Sequence, residues 1–127
     1  MVTFEHFAIY AADAPALKDF YVEAFGLRVI VDNGGGDPPG YFLADDRGGA
    51  LEIIGRPSGE AGVNQRWVCH LAFWVDDYAG TRRALAGRGV VFETDTEVDG
   101  PALQTAFFND PEGNRLQIVR RARALGS

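Results

Sequence analysis

Apolar and polar positions alternate along "FEHFAIYA" from Phe4, a stretch rich in aromatic and branched residues, which predicts a strand. The period then changes. Leu17, Phe20, Tyr21 and Ala24 recur at helical spacing and form one apolar stripe. Asp13 is placed to cap that helix, Pro15 sits in its first turn where a missing N–H costs nothing, and Gly26 closes it just after Phe25. "LRVIVD" reads as a strand, and "NGGGDPPG" as a loop, either a plain disordered connector or, with its glycines, a flap. "YFLAD" and "ALEIIG" then form a hairpin around "DRGG".

The same grammar recurs. "WVCHLAFWV" predicts a strand, followed by a helix capped near Asp76–Asp77 and ended by Gly87–Gly89, a strand at "VVFET", and a hairpin around "DPEG". His6 aligns with His70 and Asp13 with Asp77 at an offset of 64. Phe42 aligns with Phe107, Asp45 with Asp110 and Glu52 with Gln117 at an offset of 65, as a single net insertion requires. The order is βαβββ twice, so the fold class is α+β. The expectation is one domain over 1–127: a first module at about 1–56, a linker at about 57–66 and a second module at about 67–123. The two sheets are expected to form an open, cup-shaped mixed sheet with helices outside.

Composition narrows the functions. The 127 residues are enough for one domain with a core, and no apolar run is long enough for a membrane helix. The net charge of −6 argues against nucleic acid, whose phosphates need a basic face. The N-terminus has no basic segment of the signal-peptide kind, so a cytoplasmic location is expected. The single Cys69 cannot form an internal disulfide and reads as a buried, inert thiol.

Strand parity places the polar residues. His6, Ala8 and Tyr10 share one face of the first strand, while Phe7 and Ile9 share the other and pack on the helix. In the second module His70, Ala72 and Trp74 share the face matching that of His6, and Leu71, Phe73 and Val75 pack. Glu52 and Gln117 project between core residues of the hairpin strands, on the faces shared with the histidines. The chain has only two histidines, and both fall at repeat-related positions. Two imidazoles and a carboxylate suit a first-row divalent ion such as Zn, Ni, Mn or Fe; an amide oxygen is a weaker donor. His6, Glu52, His70 and Gln117 are therefore the candidate metal ligands. Tyr10 and Trp74 are candidate pocket walls, and Arg115, which shares parity with Gln117, is a candidate for an anionic substrate group.

"DFYVEAFGLRV", "CHLAFWVDD" and "FFNDPEGNRLQIV" make the chain resemble the vicinal oxygen chelate superfamily over nearly its whole length. That superfamily includes glyoxalase I, methylmalonyl-CoA epimerase, extradiol dioxygenases, and fosfomycin- and bleomycin-resistance proteins. The resemblance implies two βαβββ modules, a homodimer and metal positions at His6, Glu52, His70 and Gln117. Many metal-using members carry Glu at the last position, where in glyoxalase I it binds metal and takes part in proton transfer. Gln117 cannot take up a proton near neutral pH, which puts ordinary glyoxalase I chemistry in doubt and shifts the catalytic assignment to Glu52. One carboxylate on a divalent ion leaves a charge of +1, which favours anionic oxygen ligands. The resemblance implies a metal-dependent lyase or isomerase acting on a small substrate held through neighbouring oxygens. The alternatives are a metal-free small-molecule-binding protein of the bleomycin-resistance kind and an extradiol-type dioxygenase.

Overall fold

A computed structural model of the chain describes residues 1, 3–57 and 66–126. Most of the expected linker, residues 58–65, lies outside the described residues. The chain divides into two compact units, Met1–Gly62 and Val63–Ser127.

In the first unit, β1 (His6–Ala11) leads to α1 (Ala14–Phe25), then β2 (Arg28–Asn33), β3 (Gly40–Ala44) and β4 (Ala50–Gly55). The sheet order is β1-β4-β3-β2, with β1 parallel to β4 and the remaining pairs antiparallel. Asp13 caps α1 by accepting from the Ala16 backbone N–H at 3.0 Å, and Gly26 ends it at φ 69°, the left-handed conformation that glycine adopts without strain. Ala14, Leu17 and Tyr21 are the buried positions of the helix. They cover the sheet face carrying Ile9, Leu43, Leu51 and Ile53, all buried. Phe7 departs from expectation: it shares parity with Ile9 but is 42% exposed, because α1 lies mainly over β3 and β4.

The second unit repeats the plan with β5 (Leu71–Trp74), α2 (Tyr78–Gly87), β6 (Val98–Asp99), β7 (Leu103–Asn109) and β8 (Arg115–Arg121). Its order is β5-β8-β7-β6, again with the first pair parallel and the rest antiparallel. Asp77 caps α2 through the Gly80 backbone N–H at 3.0 Å, as Asp13 caps α1. Leu116, Ile118, Phe108 and Ala106 form the buried face, with Leu85 and Tyr78 of α2 also buried.

The hairpins repeat atom by atom. Asp45 Oδ1 accepts from the backbone N–H groups of Arg47 and Gly49, each at 2.8 Å, and Asp110 Oδ1 accepts from those of Glu112 and Asn114, each at 2.9 Å. Gly48 and Gly113 hold the turns at φ 88° and 85°. An aspartate that collects the N–H groups two and four residues on makes each turn self-contained.

Two expected strands are corrected. Residues 90–94 are not a strand; the edge strand of this sheet is the short β6 further on. Glu93 keeps one strand-like bond, from its N–H to the Phe107 carbonyl at 2.9 Å. Its carboxylate, however, is bound by Arg115 and by the Thr96 hydroxyl at 2.8 Å, and the bond to a residue three positions on curls the chain out of line. The first strand of this unit is also shorter than "WVCHLAFWV": residues 66–68 are a turn, and β5 begins after His70, so Cys69, expected to be buried within that strand, lies outside it and is exposed. Among the described residues, no helix is long and apolar enough to cross a membrane.

Candidate functional site

Each unit carries its polar candidates on the sheet face opposite its helix. In the first, Ala8, Glu52 and Phe42 lie side by side across β1, β4 and β3. In the second, Ala72, Gln117 and Phe107 form the same row across β5, β8 and β7. Each histidine rests edge-on against the phenylalanine of its row. His6 meets Phe42 with centroids 5.4 Å apart at 86°, and His70 meets Phe107 at 5.1 Å and 89°. The duplication therefore extends to the orientation of both imidazoles, with the positive ring edge of the aromatic set against a face or an edge as the pair prefers.

His6 and Glu52 of the first unit lie side by side. His6 Nδ1 is 2.8 Å from Glu5 Oε1, and Nε2 is 3.4 Å from Glu52 Oε1. Both ring nitrogens thus face carboxylate oxygens, and when Nδ1 donates to Glu5, Nε2 is left with its lone pair on the side of Glu52. Two donors about 2.1 Å from a common divalent ion, subtending roughly 108° at it, lie about 3.4 Å apart. The His6–Glu52 spacing fits that geometry. Glu5 stands where the carboxylate partner of a ligating histidine stands, on the nitrogen turned away from Glu52. Glu5 was not apparent from strand parity, which places it opposite His6; the contact forms because the two are sequence neighbours at the exposed start of β1. Within each unit, among the described residues, no three His, Cys, Asp or Glu side chains form a metal cluster.

In the second unit, His70 is exposed and Gln117 is buried at 8% exposure. Gln117 Nε2 donates to Thr105 Oγ1 at 2.7 Å, and Thr105 Oγ1 donates to the Ile118 carbonyl at 3.0 Å. Arg115 is also buried, and both arms of its guanidinium bind Glu93: Nε to Oε2 at 2.8 Å and Nη2 to Oε1 at 2.9 Å. It stacks over Phe107 with its central carbon 3.9 Å from the ring centroid. The Arg115 hydrogen bonds, against an opposing contribution from burial, hold the Glu93 carboxyl below its ordinary value. Arg115 is thus the support beneath the aromatic that carries His70, a role its parity with Gln117 did not reveal. Tyr10 is 57% exposed and Trp74 48% exposed, and the Trp74 indole N–H donates to Asp76 Oδ1 at 3.0 Å.

A duplicated βαβββ unit with a histidine and a carboxylate or amide at matching positions of each half defines the class of fold. The chain belongs to the Glyoxalase/Bleomycin resistance protein/Dioxygenase superfamily, whose family model matches residues 3–118. Solved structures agree. A glyoxalase family protein from Enterococcus faecalis is 26% identical, with a TM-score of 0.73, covering 93% of this chain and 97% of that one. The antibiotic-binding protein TnmS3 from Streptomyces sp. CB03234 is 23% identical, with a TM-score of 0.73 and coverage of 96% and 98%. The fosfomycin resistance protein FosX from Listeria monocytogenes, solved with Mn(II) and sulfate, is 14% identical, with a TM-score of 0.76 and coverage of 98% and 93%. No curated protein matches the chain.

Proposed function

We propose that the chain is a divalent-metal-dependent lyase or isomerase acting on a small substrate that presents neighbouring oxygens, with His6 and Glu52 as the donors of the first unit and His70 and Gln117 as their counterparts in the second. One observation carries the reading: His6 Nε2 and Glu52 Oε1 stand 3.4 Å apart, with Nδ1 already committed to Glu5. The matching row of Ala72, Gln117 and Phe107, with His70 against the phenylalanine, supports it. A bound divalent ion supplies Lewis acidity, lowering the energy of negative charge on substrate oxygens. Glu52 is the only carboxylate of the set, so it is the group able to accept and return a proton. Its side chain is 24% exposed, which leaves it access to a substrate. Gln117, a neutral amide, contributes an oxygen without adding charge or taking a proton.

A metal-free small-molecule-binding function is the second reading. It is favoured by Tyr10 and Trp74, exposed aromatics at positions related by the offset of 64 and available to stack on a ring-bearing ligand. Metal analysis of the purified protein after loading with Zn, Ni, Mn or Fe separates the two. A stoichiometric ion, lost in His70→Ala and in Glu52→Ala, is the expected result. Protein that retains no ion after any loading excludes the metal-dependent reading.

A further inference from the structure

A threonine hydroxyl has one hydrogen to give. Thr105, 4% exposed, gives its hydrogen to the Ile118 carbonyl, so its oxygen can only accept from Gln117. This determines an orientation that the two similar ends of an amide would otherwise leave open. The NH2 group of Gln117 must face Thr105, and Oε1 must face away from it. A carboxylate at position 117 would set an oxygen against the lone pairs of Thr105 unless the hydroxyl abandoned the Ile118 carbonyl.

The first unit provides an internal comparison. The residue 65 positions before Thr105 is Gly40, and Gly40 pairs with Ile54 just as Thr105 pairs with Val119. A Cβ at Gly40 would meet nothing nearer than the Ile53 carbonyl at 3.6 Å, an ordinary contact, so local crowding does not account for the glycine. With no hydroxyl beside it, Glu52 turns its carboxylate toward His6. The change from Glu52 to Gln117 between the units is thus accompanied by a change from Gly40 to Thr105.

We infer that Thr105 is a positioning residue: it holds the Gln117 amide so that Oε1 is presented as a neutral oxygen donor, and it is the reason an amide rather than a carboxylate stands there. The statement that this oxygen meets a metal ion rests on the proposed function; the hold itself does not.

The test uses the full chain, 15N-labelled, with the Gln117 side-chain NH2 signals identified by their loss in Gln117→Glu. In metal-free wild type these protons should exchange slowly. Thr105→Val should shift them and speed their exchange by about tenfold, the equivalent of one neutral hydrogen bond, and Thr105→Ser should restore both. Wild-type signals that exchange like those of an exposed glutamine overturn the inference, even if Thr105→Val does not fold. Mn(II) is then titrated into each variant. Thr105→Val should weaken its binding by about tenfold or more, and Thr105→Ser should not. Wild type that binds Mn(II) and a folded Thr105→Val that binds it equally well overturn the positioning role alone. Wild type that binds none of Mn(II), Zn(II), Ni(II) or Fe(II) overturns the metal-dependent reading and the donor role of Gln117 with it.

Discussion

Arg115 shows how a residue placed by parity can have a partner that parity does not reveal. Its parity with Gln117 puts it on the expected face, but parity says nothing about a partner 22 residues away. Glu93 lies in the segment read as a strand, and its carboxylate takes both arms of the guanidinium. Glu93 is held below its ordinary value, so the pairing adds stability at pH values above that of a free glutamate, about 4.3. The increment is lost as pH falls through the depressed folded value. Glu93→Gln should therefore cost about 1.5–3 kcal/mol at pH 7, as expected for hydrogen bonds between charged groups. The difference between wild type and variant in urea unfolding should shrink as the pH is lowered from 7 to 3. A difference that stays constant over that range would show that the ion pair is not the source. Thr105 was passed over for a simpler reason: it is neither a strong metal donor nor an acid or base. The signal for it was the mismatch of Thr105 with Gly40 at the offset that aligns Glu52 with Gln117.

Among the elements, helices were the most legible, because their boundaries are written locally. Asp13 is legible as a cap from its place before an apolar stripe, and the second cap is legible to within Asp76–Asp77; Asp13 and Asp77 each accept the backbone N–H three residues on. Asp13→Ala and Asp77→Ala should each cost about 1 kcal/mol, measured as a lowered midpoint of urea unfolding, while Asp→Asn at either site should cost less. The edge strand of the second sheet was least legible. "VVFET" has the composition of a strand, but two residues of β6 carry the pairing, and no local pattern marks "VD" as a strand. His70 sits one residue outside β5 for the same reason: strand ends depend on ladder partners distant in sequence. The row of Ala72, Gln117 and Phe107 was readable despite this, since the side chains of paired strands keep their period through the strand body.

For the whole molecule, the duplication was the most informative feature of the chain. A family model over residues 3–118 and solved structures of similar fold agree with the two βαβββ units. The nature of the ligand is a property of a few side chains, and one fold serves many of them. Ligand linkage reports on the whole chain at once. An ion that binds only the folded protein adds about 2.7 kcal/mol of stability when its free concentration is 100 times its dissociation constant. Mn(II) should therefore raise the thermal midpoint of wild type in a concentration-dependent way, and a chelator should reverse the rise. Glu52→Ala should show neither response, and a rise of equal size in that variant would remove Glu52 from the donor set.

The twin aspartate turns carry one further consequence. Glu52 comes seven residues after Asp45, and Gln117 seven after Asp110. Each turn is closed by its own aspartate, so it acts as the zero mark of a ruler whose graduations alternate between two directions. Lengthening the stretch between mark and reading by one residue would shift the phase by half a period and aim the glutamate or the glutamine into the hydrocarbon beneath the sheet. Lengthening it by two would restore the aim and only displace the reading along the strand. Two five-residue loops thereby govern where Glu52 and Gln117 point.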